Sequence, residues 1–464
     1  MTLIKSISGI RGTIGGPIGE GLTPLDIVKF TTGFGQWIKQ NSPSKKVVIG
    51  RDARISGQMV SDITAATLQG LGLDVVDLGL STTPTVEMAV PAENAGGGII
   101  LTASHNPKQW NALKLLNAKG EFVSGEAGSQ ILELAEHSAV EYADVDNLGH
   151  YSANDQYLDY HIEKILSLDL VDADAIRKAN FKIIIDCVNS TGGIALPLLF
   201  KHLGLEQNIT KLYCDPNGEF PHNPEPLPEH LTEISEKMKS GNYHLGIVVD
   251  PDVDRLAFIN QDGTLFGEEY TLVAIADYVL KHKKGAGVSN LSSTRALRDV
   301  CRSYGVEYAA SAVGEVNVVE KMKEIKAAIG GEGNGGVIYP ELHYGRDALV
   351  GIALFLTHLA KSGKTMTELK GSYPQYAISK NKIELNPSID VDLLLSKTKE
   401  KYLAYEVNDI DGVKVDFDHG WVHLRKSNTE PIIRVYSESD SMDNANKLAG
   451  EVMDEIDRII FSNA

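Results

Sequence analysis

The stretch Gly96–Pro107, G-G-G-I-I-L-T-A-S-H-N-P, joins an apolar run to a short polar segment. The run up to Ile100 predicts the end of a buried strand, and Leu101–Pro107 follows as its polar tip. In open α/β sheets, ligands bind beyond the carboxyl ends of the strands. Ser104 directly precedes His105 at this tip and is therefore a candidate nucleophile. The alternative is an Asn-Pro turn that uses these side chains for local hydrogen bonds.

The same pattern of an apolar run, a polar loop and a helix recurs elsewhere in the chain. Lys46–Gly50 precedes R-D-A-R, Phe181–Asp186 precedes C-V-N-S-T-G-G, and Leu245–Val249 precedes D-P-D-V-D-R. Short buried strands that alternate with helices predict parallel or mixed α/β domains. A third such unit begins near Leu256. Alternating strand patterns and a final amphipathic helix in 375–464 predict a smaller α+β domain.

Three other segments complete the predicted organisation. Ser8–Gly16, S-G-I-R-G-T-I-G-G, has too many glycines for a helix and is interpreted as a loop that carries one cation, Arg11. Lys114 follows the serine-containing segment and is placed on the next predicted strand. Lys361–Pro374 is interpreted as a linker before the last domain. Arg11 and Lys114 are informative because an acidic chain that handles an anion must concentrate its cations locally.

Composition excludes several classes of protein. A length of 464 residues predicts about three or four domains. The formal net charge of −18 at pH 7 argues against a nucleic-acid binder, which needs clustered Lys and Arg. Cys187, Cys214 and Cys301 fit neither a disulfide framework nor a zinc knuckle. With no signal peptide and no apolar run of membrane-spanning length, we expect a cytoplasmic protein without a membrane partner.

Three carboxylates alternate in D-P-D-V-D-R, directly after a predicted buried strand: Asp250, Asp252 and Asp254. Oxygen ligands at this spacing, turned by Pro251, can converge on one hard divalent cation. The loop lacks the twelve-residue EF-hand pattern, which favours Mg²⁺ over Ca²⁺. The alternative is a solvated acidic turn.

Two further loops offer groups that suit a sugar phosphate. Gly331–Gly336, G-E-G-N-G-G, lacks the Lys-Ser/Thr of a nucleotide P-loop, and its Glu332 and Asn334 suit sugar hydroxyls. Arg425–Pro431, R-K-S-N-T-E-P, combines two cations, two hydroxyls and an amide, which can hold a phosphate. A bare turn is the alternative for the first loop, and a basic surface turn for the second.

The ordered pair T-A-S-H-N-P and D-P-D-x-D-R resembles the α-D-phosphohexomutases, the family of phosphoglucomutase, phosphomannomutase and phosphoglucosamine mutase. The resemblance extends from Gly9 to Tyr436. It implies an α/β fold with four domains around a central cleft, the first three being similar units with mixed sheets and the fourth a smaller α+β domain. The implied domains are 1–152 with the serine loop, 153–255 with the metal loop, 256–372 with the sugar loop and 373–464 with the phosphate loop.

The resemblance also implies a role for each candidate residue. Ser104 would be a phosphoserine, and one of its oxygens would bind Mg²⁺ together with Asp250, Asp252 and Asp254. Glu332 and Asn334 would contact the sugar. The residues implied to hold the non-reacting phosphate are Arg425, Ser427, Asn428 and Thr429. The residues implied to line the site of phosphoryl transfer are Arg11, His105, Lys114 and Arg255.

The implied reaction interconverts hexose 6-phosphate and hexose 1-phosphate through a bound 1,6-bisphosphate, and hexose 1,6-bisphosphate would be the activator. The loop G-E-G-N-G-G is similar to that of archaeal-type phosphoglucosamine mutases, so glucosamine phosphate is the favoured substrate. The D-P-D motif is more typical of phosphomannomutases and phosphoglucomutases, which are the alternative. The implied protein is a monomer or a homodimer.

The general base and the reaction class remain open from the sequence. Where some members of the family carry a lysine and a histidine, this chain has Ser292–Thr294 and Glu315. Lys114 and His105 are both candidates for the base. A magnesium-dependent sugar-phosphate phosphatase is the alternative from another class, because a serine nucleophile beside Mg²⁺ can also hydrolyse a phosphate. A non-catalytic sugar-phosphate sensor is a third hypothesis, which Ser104 argues against.

Overall fold

The computed structural model describes residues 2–6, 9–137, 139–384, 390–426 and 432–461. The chain divides into two compact units. Unit 1 comprises Met1–His282 and Asn334–Lys370, and unit 2 comprises Lys283–Gly333 and Gly371–Ala464. None of the helices formed by the described residues is long and apolar enough to cross a membrane.

The strands and helices alternate through most of the chain, as the sequence predicted. The strands are β1 (Leu3–Ser6), β2 (Gly9–Thr13), β3 (Lys46–Arg51), β4 (Asp74–Leu80), β5 (Gly97–Leu101), β6 (Trp110–Asn117), β7 (Tyr151–Ala153), β8 (Ile183–Asp186), β9 (Ile209–Leu212), β10 (Leu245–Val249), β11 (Leu256–Asn260), β12 (Gly287–Asn290), β13 (Tyr308–Ser311), β14 (Ile329–Glu332), β15 (Gly336–Ile338), β16 (Ala377–Glu384), β17 (Glu406–Asn408), β18 (Val413–Phe417), β19 (Gly420–Lys426) and β20 (Ile432–Ser439). The helices are α1 (Pro24–Asn41), α2 (Gly57–Gly70), α3 (Thr83–Ala92), α4 (Gly125–His137), α5 (Tyr157–Leu166), α6 (Ala173–Ala179), α7 (Gly192–His202), α8 (Thr232–Ser240), α9 (Glu268–His282), α10 (Ala296–Ser303), α11 (Glu315–Ile325), α12 (Ala348–Ser362), α13 (Met366–Gly371), α14 (Val391–Lys401) and α15 (Met442–Phe461).

Two mixed sheets of unit 1 share an arrangement that positions the site. The first has the order β1-β2-β6-β5-β3-β4-β7 and the second the order β11-β10-β8-β9. In the first, β5 pairs in parallel with β3 and antiparallel with β6. In the second, β10 pairs in parallel with β8 and antiparallel with β11. The strands that precede Ser104 and Asp250 therefore occupy equivalent places in their sheets.

Local sequence explains why the elements begin and pack where they do. Thr23 and Asp26 form a reciprocal capping box at the start of α1, and Pro24 occupies its first turn. A cap of this kind stabilises a helix by about 1 kcal/mol. Phe30 and Phe34 of α1 are buried in the core that covers the first sheet. The capping box and Pro24 therefore set the residue at which α1 begins.

Unit 2 contains three strands that pair in parallel and a separate antiparallel sheet. Strand β12 pairs in parallel with both β13 and β14. The antiparallel sheet has five strands in the order β16-β20-β19-β18-β17. Leu394 of α14 and Leu448 of α15 pack in one core with Val422 and Val435 of that sheet. The predicted α+β character of the last part of the chain is therefore confirmed.

Three sequence interpretations are wrong in detail. Most of the predicted loop Ser8–Gly16 is strand β2, because glycine allows a close approach: a Cβ at Gly9 would lie 2.2 Å from the Leu113 carbonyl oxygen. The predicted linker Lys361–Pro374 contains α13, whose Met366 and Leu369 are buried, although the division between the two units, after Lys370, does fall within it. The predicted loop Gly331–Gly336 is shorter than expected, since β14 ends at Glu332 and β15 begins at Gly336.

Candidate active site

Ser104 lies in a tight, buried turn just beyond β5. Its backbone is left-handed, with φ at +48°, and the residue is 3% exposed. Its Oγ donates a hydrogen bond to Asp250 Oδ2 at 2.7 Å and lies 3.3 Å from His105 Nδ1. Its backbone N–H donates to Thr102 Oγ1 at 2.9 Å. A left-handed non-glycine residue costs free energy, on the order of 1–3 kcal/mol, so the surroundings must hold the turn in place.

Arg54 holds this turn, although no pattern in the sequence marks it as a site residue. Its guanidinium is 1% exposed. The backbone carbonyl oxygens that accept from Arg54 are those of Ser104 (2.5 Å), Asn106 (2.6 Å), Pro107 (2.8 Å) and Trp110 (3.0 Å). Asp52 Oδ2 accepts from Arg54 Nε at 3.0 Å and from Thr102 Oγ1 at 2.6 Å. The ion pair of Asp52 and Arg54 therefore ties together four backbone carbonyl oxygens of this segment, of which that of Pro107 also accepts from the backbone N–H of Trp110.

The Asp250 triad (Asp250, Asp252 and Asp254) is fully buried directly after β10. One carboxylate oxygen from each residue lies within 4.8 Å of those of the other two. Asp250 Oδ1 accepts from the backbone N–H groups of Asp254 and Arg255, at 3.2 and 3.1 Å. Within the described residues, Asp252 Oδ1 and Asp254 Oδ1 accept no hydrogen bond. Buried carboxylate oxygens without donors are ligands that suit a hard divalent cation such as Mg²⁺.

The carboxylates of the Asp250 triad oppose one another's ionisation because they lie close together in a buried site. Burial and the neighbouring carboxylates of Asp254 and Asp252 raise the pKa of Asp250 well above its ordinary value. Burial also acts to raise the pKa of Asp254, but the positive charges of Arg346 and Lys114 outweigh it and lower that pKa. A bound cation would relieve the mutual repulsion that works against ionisation of Asp250.

Lys114, on β6, serves the triad rather than Ser104. Its Nζ donates to Asp252 Oδ2 at 2.7 Å and lies 3.7 Å from Asp254 Oδ2. Burial favours loss of its proton, but the attraction of Asp252 and Asp254 is greater and raises the pKa of Lys114. Two more groups donate hydrogen bonds to the Asp250 triad. Thr83 Oγ1 donates to Asp252 Oδ2, and Arg346 donates to Asp254 Oδ2, both at 2.6 Å. Lys114 is therefore held as a cation.

His105 has the opposite electrostatic character. Burial and the positive charges of Arg255 and Arg11 lower its pKa well below the ordinary value of 6.5. The imidazole is therefore neutral at pH 7, and its Nδ1 faces Ser104 Oγ. Arg11 donates to Asn106 Oδ1 at 2.9 Å, which attaches this cation to the serine turn. Of the two candidate bases, His105 is the one whose protonation state suits proton uptake at neutral pH.

In unit 2, Glu332 is buried at the end of β14. Its Oε1 accepts from Asn290 Nδ2 at 2.8 Å and from the backbone N–H of Gly314 at 3.0 Å. The next backbone N–H, of Gly333, donates to Ser293 Oγ at 3.0 Å. Nothing in the sequence pattern of β12 marks Asn290 as a partner of a residue in a later strand.

The other predicted site residues make longer or purely local contacts with their neighbours. Arg255 is almost buried, with Nε 3.9 Å from Asp254 Oδ1. Asn334 Oδ1 accepts from the backbone N–H of Gly336 at 3.2 Å. Arg425 lies on β19, with Nε 3.9 Å from Asp411 Oδ2. The predicted phosphate-binding residues outside the described ranges are Ser427, Asn428 and Thr429.

Four family models match consecutive parts of the chain. They are described as phosphoglucomutase/phosphomannomutase α/β/α domains I, II and III and the C-terminal domain. The matched residues are 3–140, 156–263, 267–376 and 386–455.

Individual proteins match over nearly their whole length. A phosphoglucomutase/phosphomannomutase from Thermococcus kodakarensis is 34% identical, with 94% of each chain covered. A phosphoglucosamine/phosphogalactosamine mutase from Sulfurisphaera tokodaii is 31% identical, with 96% of this chain and 97% of the relative covered. The crystal structure of a phosphoglucomutase/phosphomannomutase family protein from Burkholderia thailandensis superposes with a TM-score of 0.84 at 26% identity, covering 98% of this chain and 96% of that one.

Proposed function

Because the chain belongs to the phosphoglucomutase/phosphomannomutase family, we propose that it isomerises a hexose phosphate with Ser104 as the phosphoryl carrier. The family predicted from the serine and aspartate motifs is confirmed, and the chain is a phosphohexomutase, an isomerase. The observation that supports Ser104 as the carrier is its short hydrogen bond to Asp250 in a buried, strained turn.

In the proposed reaction, Ser104 begins as a phosphoserine. A sugar hydroxyl oxygen attacks the phosphorus, the new P–O bond forms, and the bond between phosphorus and Ser104 Oγ breaks. The sugar hydroxyl loses its proton to a base, for which neutral His105 is the better placed candidate. Ser104 Oγ then attacks the phosphorus of the other phosphoryl group of the bisphosphate, and the bond between that phosphorus and its sugar oxygen breaks. The base returns its proton to this sugar oxygen, which restores the phosphoserine and releases the isomerised product.

The residues around Ser104 supply orientation and charge. Arg54 fixes the turn through the carbonyl oxygens, so that the nucleophile does not need to be oriented during the reaction. Arg11 and Arg255 are proposed to neutralise the phosphoryl oxygens, and Lys114 holds Asp252 in position. Mg²⁺, bound by the Asp250 triad and a phosphoserine oxygen, would supply further positive charge to the phosphoryl group.

We further propose glucosamine phosphate as the substrate. The loop of Glu332 and Asn334 supports this choice, together with a relative named phosphoglucosamine/phosphogalactosamine mutase. The buried Glu332 carboxylate, held by Asn290, offers an acceptor for sugar hydroxyls or an amino group. Mannose or glucose phosphate is the second candidate, since a relative at 34% identity is named phosphoglucomutase/phosphomannomutase.

The test compares kcat/KM for glucosamine 6-phosphate, mannose 1-phosphate and glucose 1-phosphate, each with the matching hexose 1,6-bisphosphate as activator. We expect the highest value for glucosamine 6-phosphate. A higher value for either other sugar would overturn the substrate assignment while leaving the mutase mechanism intact. Release of free phosphate faster than isomerised product would instead favour the phosphatase alternative.

A further inference from the structure

Unit 1 holds a second cluster of ligand-type side chains, the His161 cluster: His161, His343 and Asp347. One ligand atom from each residue lies within 4.8 Å of those of the other two. His161 Nε2 lies 2.9 Å and His343 Nε2 3.3 Å from the same atom, Asp347 Oδ2. His161 and Asp347 are fully buried, and the side chain of His343 is 12% exposed. The cluster shares no residue with the Asp250 triad.

Asp347 is oriented by the helix that it caps. Its Oδ1 accepts from the backbone N–H groups of Leu349 and Val350, at 2.8 and 3.2 Å, at the start of α12. One carboxylate oxygen is therefore fixed by the helix terminus, which leaves Oδ2 directed at both imidazoles. The cap thus orients the carboxylate without the help of a bound ion.

The second ring nitrogen of each histidine lies near an oxygen atom, within hydrogen-bond distance for His161 and at a longer ion-pair distance for His343. His161 Nδ1 lies 3.0 Å from Thr85 Oγ1, and His343 Nδ1 lies 3.4 Å from Glu87 Oε2. Histidines that bind metals nearly always place the other ring nitrogen against a carboxylate or another oxygen, which fixes the tautomer and the ring orientation. Here both partners come from α3 and direct the two Nε2 atoms toward the cluster.

We propose that His161 Nε2, His343 Nε2 and Asp347 Oδ2 bind a zinc ion. Two imidazoles and one carboxylate form a ligand set typical of zinc, with a fourth position left for water or another ligand. Asp347 and Glu87 place two carboxylates beside the histidines, and a divalent cation balances their negative charge. The Asp250 triad offers only carboxylate oxygens and suits Mg²⁺, so the two sites prefer different metals.

A cavity gives this site access to solvent. It has a volume of about 550 Å³, and its lining includes Glu87, Tyr160, Lys164, His343 and Tyr344. Because His343 is partly exposed and lines the cavity, zinc reaches the site from the His343 side. The cavity also leaves room for the water that completes the zinc coordination.

The two sites are connected through neighbouring residues. Arg346, next to Asp347, donates to Asp254 Oδ2. Thr83, in the same helical turn as Thr85, donates to Asp252 Oδ2. The zinc site is therefore a positioning element: its occupancy fixes α3 and the segment before α12, both of which contact the Asp250 triad. It takes no part in the chemical step.

The experiment measures zinc retained by the full chain. Protein stripped with a chelator is dialysed against Zn²⁺ in a large excess of Mg²⁺, which occupies the Asp250 triad, and the bound metal is counted. We expect about one equivalent of zinc in the unmodified chain and at least a tenfold loss of affinity in His161→Gln and His343→Ala. His202→Gln, which removes a histidine paired with Asp159 at 3.0 Å, is the matched control and should retain the zinc.

Two readouts separate binding from misfolding. Co²⁺ in place of Zn²⁺ should give a visible absorption band in the unmodified chain and in His202→Gln, but not in His343→Ala. Zn²⁺ should raise the Tm of the unmodified chain by several degrees and leave that of folded His343→Ala unchanged. Failure of the unmodified chain to retain zinc would assign the cluster to a buried ion-pair network. Equal retention by both histidine variants would also overturn the proposal.

Discussion

The serine turn of unit 1 and the Glu332 segment of unit 2 differ in the part that buried charge plays. At the serine turn, Arg54 donates to the carbonyl oxygens around Ser104, and Asp52 links Arg54 to Thr102. At the Glu332 segment the buried carboxylate is itself the proposed sugar-binding group, and its Oε1 accepts from Asn290 Nδ2 and from the backbone N–H of Gly314. Buried charge therefore fixes the backbone that carries the reacting group in unit 1, whereas in unit 2 we propose that it contacts the sugar.

The largest expected effect comes from the reacting oxygen itself. Ser104→Ala removes the phosphoryl acceptor, and kcat should fall on the order of 10⁴-fold or more. The turn should survive, because Thr102 and Arg54 contact the backbone of Ser104 and not its side chain. Steady-state kinetics measure the loss of kcat, and thermal melting checks that the variant remains folded. Full turnover in this variant would exclude Ser104 as the carrier.

The next effect tests whether Arg54 acts through the turn. Arg54→Lys keeps the charge but loses several of the N–H donors of the guanidinium group, so buried carbonyl oxygens lose their side-chain donor. The free energy of unfolding should therefore fall by about 2 kcal/mol or more. Displacement of Ser104 should lower kcat on the order of 10²-fold with a smaller change in KM. The matched control is Arg51→Lys, since Arg51 is partly exposed at the end of β3 and contacts Gln58 of α2. Equal effects in both variants would contradict a specific role for Arg54.

A smaller effect is expected at the Glu332 segment. Glu332→Gln keeps the shape but removes the charge, so kcat/KM for glucosamine 6-phosphate should fall about 10- to 100-fold. The free energy of unfolding should change little, because both hydrogen bonds to Oε1 can persist. Glu324→Gln, at an exposed pair with Lys321, is the control. An unchanged kcat/KM for Glu332→Gln would remove this carboxylate from sugar recognition.

The smallest expected effect is in the pH profile. Because the pKa of His105 lies well below 6.5, the imidazole is neutral at pH 7 and gains a proton only as the pH falls through that lowered value. Activity that depends on neutral His105 should therefore be constant near pH 7 and decrease only at acidic pH. The profile of kcat/KM against pH, compared with that of His105→Gln, measures this decrease of activity at acidic pH, the acidic limb. A limb centred at or above pH 6.5 would contradict the assignment.

Much of unit 1 could be predicted because its signals are contiguous. Ser104 and the Asp250 triad each follow a short apolar strand, so sequence order alone places them at strand ends. Arg54 could not be found in this way, because its partners are backbone carbonyls about 50 residues away that carry no sequence signature. Strand β2 was missed for a related reason, since the constraint on Gly9 comes from the backbone of a distant strand.

The choice of base shows what the structure adds to the sequence. Lys114 and His105 were equivalent candidates as residue types. Their surroundings separate them: Asp252 and Asp254 keep Lys114 charged, whereas burial and two arginines keep His105 neutral. The His161 cluster went unnoticed because its residues come from α5 and the segment before α12, far apart in the sequence. Tertiary contacts, which no local sequence pattern encodes, determine both the protonation states of the candidate bases and the assembly of the His161 cluster.

The central claim is that Ser104 carries the phosphoryl group. The most direct test is a single turnover with hexose 1,6-bisphosphate labelled with ³²P, quenched early and mapped by proteolysis and mass spectrometry. We predict label on the peptide that contains Ser104, and its transfer to sugar phosphate when unlabelled substrate is added before quenching. Label on another residue, or turnover with no labelled protein at any time, would contradict the account.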